Sequence, residues 1–120
     1  MKAVTPKEAF NLCKEGAIIL DIREDYLSAY KQFNIDLVLF VPKSKLQENL
    51  KSIPKGQLLI IADTSGIYSR EVCNELSEKG YNVCCLAGGF VEWERDGFPI
   101  SINQKERLSG SCMCQLKARE

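Results

Sequence analysis

Two short stretches and a scatter of thiols hold the side chains of this chain that could do chemistry. The first stretch is Asp63-Thr64-Ser65-Gly66-Ile67-Tyr68-Ser69. It sits between an apolar run at residues 58–62 and a helical pattern. The N-terminus of a helix that follows a strand is a ready-made place to hold an anion. The second stretch is Asp21-Ile22-Arg23, again at the end of an apolar run. The thiols are Cys13, Cys73, Cys84, Cys85, Cys112 and Cys114, and the chain contains no histidine. Without histidine there is no Cys–His nucleophile pair and no mixed Cys/His zinc site. The irregular cysteine spacing, with one adjacent pair, predicts free thiols rather than a disulfide framework.

The elements that must position these groups follow from periodicity and punctuation. Thr5-Pro6-Lys7-Glu8 is a capping box with proline at the first helical position. Ala9, Phe10, Leu12 and Cys13 form the apolar side of that helix, and Gly16 ends it. Residues 17–20, 35–41, 58–62 and 82–86 read as strands, the most apolar of them buried on both faces. Tyr26, Leu27 and Tyr30 predict a short helix. Residues 43–52 predict another, with Leu46 and Leu50 on one face. A longer helix is expected from Ser69 to about Lys79, with Val72, Cys73 and Leu76 inward. Ala87-Gly88-Gly89 turns into a last helix carrying Phe90, Val91 and Trp93, which Gly97 and Pro99 end. Buried strands alternating with helices predict an α/β fold. It is a three-layer sandwich with a mostly parallel five-stranded sheet and helices on both faces. In such sheets the working site lies beyond the carboxyl ends of the strands, which is where residues 63–69 fall.

Length and composition bound the function. A chain of 120 residues suits one domain, placed at residues 1–100, with a polar tail at 101–120 that carries Cys112 and Cys114. Sixteen basic residues balance sixteen acidic ones, which excludes steering toward nucleic acid or an anionic membrane surface. The apolar runs are strand-sized, too short to span a membrane. No apolar signal stretch follows Met1, so the expected location is the cytoplasm.

In order and spacing, the fragments resemble the single-domain rhodanese-like family over residues 4–100. The matching pieces are Asp21-Ile22-Arg23, the 63–69 loop, Leu86-Ala87-Gly88-Gly89, Trp93, Gly97 and Pro99. The resemblance implies sulfane-sulfur transfer, in which a loop cysteine of a Cys-x-x-Gly-x-Arg-Ser motif carries sulfur as a persulfide. That chemistry needs a thiolate near neutral pH, favoured by inward backbone N–H groups, a helix N-terminus and a loop arginine. Here Asp63 falls on the cysteine and Tyr68 on the arginine, while Gly66 and Ser69 are kept. The family's Gly-His-Ile-Pro-Gly-Ala stretch is replaced by Phe33-Asn34-Ile35-Asp36-Leu37-Val38. The resemblance further implies a structural role for Asp21.

Two functions follow as expectations. One is a binding or regulatory module that lacks classical thiosulfate sulfurtransferase activity. The other is a sulfur or thiol relay that uses Cys112 or Cys114 as carrier. Asp63 itself has two readings: a carboxylate satisfied by its own loop, or one that fills the anion site permanently. Arg23 is expected to hold the fold, and Arg70 is a candidate replacement for the loop arginine. Cys73, Cys84 and Cys85 are expected in the core, the last two on opposite sheet faces. No cofactor or metal is implied. The partners implied are another protein or a small sulfur-containing molecule or anion.

Overall fold

The computed structural model describes residues 3–24, 28 and 30–102. Helix α1, Pro6–Lys14, starts at the capping box: Thr5 Oγ1 accepts the Glu8 N–H, and the Glu8 side chain accepts the Thr5 N–H. The central sheet contains β1 (Ala3–Val4), β2 (Ile18–Asp21), β4 (Val38–Phe40), β5 (Leu59–Ala62) and β6 (Val83–Leu86). Their order is β1-β6-β5-β2-β4, and every pairing is parallel. Helix α2 spans Ser69–Glu78, and helix α3 spans Gly89–Arg95. Strand β3 (Lys31–Phe33) pairs antiparallel with β7 (Ile100–Ile102) as a small separate ribbon. Ser101 and Ile102, read from sequence as the start of the tail, lie in that ribbon.

Alternation along the buried strands divides the core in two. On one face Ile18, Leu20, Leu59, Ile61 and Cys85 pack with Val72, Cys73 and Leu76 of α2. On the other, Ile19, Ile60, Ala62, Cys84 and Leu86 pack with Ala9 of α1 and with Phe90 and Trp93 of α3. Cys84 and Cys85 thus face opposite ways, as expected of strand neighbours. Trp93 is fully buried against Phe10, Phe33 and Phe98, and its indole N–H donates to the Pro99 carbonyl at 2.8 Å. That bond explains why the chain needs to return at Gly97 and Pro99.

Two expectations change. Residues 43–52 do not form an α-helix; they form two 3₁₀ segments, Lys43–Lys45 and Gln47–Ser52. Their bonds run i to i+3, from Lys45 N–H to Pro42 and from Asn49 N–H to Leu46. The strand expected over 35–41 shortens to Val38–Phe40. The expected helix near Tyr30 is represented by Ser28 and Tyr30, which are helical; Tyr26 and Leu27 lie outside the described residues, as do Cys112 and Cys114. Among the described residues no helix is long and apolar enough to cross a membrane.

Arg23 and Asp21 form a buried pair. Arg23 Nη2 lies 2.8 Å from Asp21 Oδ2, Arg23 Nε donates to Oδ1 at 3.0 Å, and Arg23 Nη2 also donates to the Lys31 carbonyl at 2.7 Å. The guanidinium stacks 4.1 Å from the centroid of Phe90. Removing one partner leaves the other charge buried and unpaired. Arg23→Met or Asp21→Asn is therefore expected to lower stability by about 3–5 kcal/mol, with the double variant losing less than the sum. Guanidinium unfolding of the three variants checks this.

Burial, and then the nearby Cys84, push the Cys13 thiol up from 9.0 to about 11. The Cys73 thiol is raised further, first by burial and then by Cys85. Both thiols hold their protons more tightly folded than unfolded. Their contribution is complete below the unfolded thiol value of about 8.5 and is lost as pH rises toward the folded values. The expected unfolding midpoint is flat near pH 8 and falls between pH 9.0 and about 11. The fall should be shallower in Cys13→Ala, as measured by guanidinium titrations at fixed pH.

Candidate functional site: a loop that holds its own carboxylate

The site lies at the carboxyl ends of β2 and β5, which run side by side with Asp21 opposite Ala62. β5 is entirely buried, so the chain leaves the core abruptly at Asp63. The loop then folds over the first turn of α3. Phe90 N–H donates to the Asp63 carbonyl at 2.8 Å, and Val91 N–H donates to the Thr64 carbonyl at 2.9 Å. These are N–H groups a helix start leaves without partners of its own. Gly89 makes this approach possible. A Cβ there would lie 2.5 Å from the Asp63 carbonyl oxygen, and its φ of +63° is left-handed. Gly66, at φ +93°, backs onto Gly88 in the same way. The Gly88-Gly89 pair is thus the floor of the loop.

Asp63 turns its carboxylate inward. Oδ1 accepts the Gly66 N–H and Oδ2 the Tyr68 N–H, each at 2.6 Å, and the residue is only 4% exposed. These donors belong to the loop and to the residue that starts α2, so the carboxylate also faces the positive end of that helix. Such charge-assisted bonds are the strong class of protein hydrogen bond. The Asp63 carboxylate is thus satisfied by its own loop.

The remaining loop residues divide by exposure. Ser69 is buried at the start of α2, Thr64 and Ser65 face outward, and Ile67 and Tyr68 are 71% and 56% exposed. A cavity of about 330 Å³ opens beside Asp63, lined among others by Arg23, Glu24, Lys43 and Tyr68. Arg23 is already engaged by Asp21. Arg70 lines a different cavity, with Gly66, Ser69, Cys85 and Gly88, and does not replace the loop arginine at the Asp63 mouth.

Lys43 is the site residue that sequence reasoning missed. Its ammonium lies 3.6 Å from Glu71 and 5.8 Å from the Tyr68 ring centroid. No motif marks it; it arrives because β4 ends beside β2 and Pro42 turns the chain over the loop. Asp21 and Asp63 are held by different partners. Asp21 is fully buried and bound to Arg23, on the sheet face that carries Ile19. Among the described residues no cluster of three His, Cys, Asp or Glu side chains could hold a metal ion.

Comparison with known proteins agrees with this geometry. Residues 5–96 match the model of the rhodanese-like domain. The chain is 33% identical over 104 residues to the thiosulfate sulfurtransferase GlpE of Haemophilus influenzae, covering 82% of this chain and 93% of that one. It is 32% identical over 87 residues to a sulfurtransferase of Allochromatium vinosum, covering 72% and 79%. A rhodanese-like domain protein of Staphylococcus aureus superposes with a TM-score of 0.74 at 26% identity, over 86% of this chain and 99% of that one. A rhodanese-related protein of Thermoplasma volcanium gives 0.78 at 21% identity over 86% and 100%, a likeness of fold alone. With its parallel sheet, its double-glycine floor and the loop between β5 and α2, this chain belongs to the rhodanese-like domain family.

Proposed function

We propose that this protein is a rhodanese-like binding or regulatory module whose 63–69 loop does not carry sulfur. One observation supports this reading above the others. The nearly buried Asp63 carboxylate accepts the Gly66 and Tyr68 N–H groups at 2.6 Å. A carboxylate cannot become a persulfide. It also places a fixed negative charge where an anionic sulfur donor would bind, and like charges a few ångströms apart repel. Tyr68 adds no positive charge near neutral pH. The mouth that remains offers exposed Ile67 and Tyr68 beside Lys43, a mixed apolar and cationic rim. Its partner is another protein or a small sulfur-containing anion, recognised at the rim rather than within the loop.

The test is a thiosulfate:cyanide assay with persulfide mapping. The native chain should form no thiocyanate above the protein-free rate. Asp63→Cys combined with Tyr68→Arg restores a thiol and a cation at the two loop positions. It should give measurable turnover and a persulfide on residue 63. Native turnover that disappears in Cys112→Ser or Cys114→Ser would overturn the reading in favour of the tail thiols as sulfur carriers.

A further inference from the structure

Behind the loop lies a second constellation that the proposed function does not use. Cys73, on the inward face of α2, and Cys85, on β6, bring their sulfur atoms to 3.0 Å. Both are buried, at 0% and 6% exposure. They are not equivalent. Cys85 lines a cavity of about 250 Å³ together with Gly66, Ser69, Arg70 and Gly88, whereas the fully buried Cys73 is not part of its lining. Arg70 is exposed at that cavity and supplies a positive charge there. The two cysteines come from the helix that follows the loop and from the strand that leads into its Gly88-Gly89 floor.

We propose that Cys73 and Cys85 form a reversible dithiol–disulfide pair, oxidised by a small hydroperoxide that enters through the cavity beside Arg70. Cys85 is the sulfur that meets the oxidant. As its thiolate it attacks one peroxide oxygen; an S–O bond forms, the O–O bond breaks, and hydroxide leaves and takes up a proton as water. The product is a sulfenic acid on Cys85. The Cys73 sulfur then attacks the Cys85 sulfur. The S–S bond forms, the S–O bond breaks, and the hydroxyl leaves as water with the Cys73 proton. Two thiols supply two electrons to one peroxide. An external dithiol reverses the change by exchange. Cys73 suits the second role by position, its sulfur lying 3.0 Å from that of Cys85. The bond cross-links α2 to β6 and so fixes the two elements that frame the loop, whatever the loop itself binds.

Peptide mapping of the full chain tests this directly. Trypsin cuts after Arg70, Lys79 and Arg95, so Cys73 and Cys85 fall on separate peptides. After hydrogen peroxide treatment and thiol blocking, a linked pair of these peptides is expected, with fragmentation placing the bond on Cys85 rather than Cys84. The link should vanish on treatment with dithiothreitol. In Cys73→Ser, dimedone should trap a sulfenic acid on Cys85. The oxidised native chain should also melt at a higher temperature than the reduced one. The proposal is overturned if Cys73 and Cys85 are both blocked as free thiols after peroxide has oxidised Cys112 or Cys114, or if the link forms through Cys84. The native-chain map decides the matter even if Cys73→Ser does not fold.

Discussion

Backbone N–H groups that converge on one point need an acceptor there, because donors left without one as they leave water are costly. In this chain the requirement is met from within. Asp63 leaves the buried β5 strand, and its carboxylate takes the N–H groups of Gly66 and Tyr68. Much of the surrounding architecture serves that closure. Gly89 lets the loop carbonyls of Asp63 and Thr64 rest on the first N–H groups of α3. Phe90, at that same helix start, lies under the Arg23 guanidinium, which Asp21 anchors at the end of β2. A line of contacts therefore runs from Asp21 through Arg23 and Phe90 to the backbone of Asp63.

This continuity explains how the fold accommodates a carboxylate at residue 63. The parts that build the loop are backbone turns, two close-packed glycines and a buried ion pair, and they do not depend on which side chain fills the centre. The Asp63 carboxylate in the centre supplies the acceptor for the Gly66 and Tyr68 N–H groups. Lys43 contributes a cation to the lining of the cavity beside Asp63.

Much of this was legible in the sequence where the signal is local or strongly periodic. The Thr5–Glu8 capping box, the apolar 58–62 run and the Gly88-Gly89 turn each carry their own physical reason. Cys84 and Cys85 were placed on opposite faces by alternation alone. The short strands β1 and β7 were not legible, because two or three residues carry no period and their strand character comes from remote partners, Leu86 for Val4 and Phe33 for Ile100. The Leu46–Leu50 spacing suggests an α-helix over 43–52, but two apolar residues on one face do not distinguish an α-helix from the 3₁₀ turns that form there. The contact between Cys73 and Cys85 was hidden for a similar reason: it depends on how α2 crosses β6, which spacing does not state. Lys43 entered the site through the β2–β4 pairing, a neighbourhood created by topology.

The central claim is that the loop already holds its anion. The most direct measurement is a thiosulfate titration of the isotope-labelled chain, following the amide resonances of Gly66 and Tyr68 by NMR, beside the same titration of Asp63→Ala. The account predicts that both resonances stay in place in the native chain. In Asp63→Ala, with the carboxylate gone and its N–H groups released, they should shift and saturate. Saturable movement of the Gly66 and Tyr68 amides in the native chain, with no gain in Asp63→Ala, would contradict it.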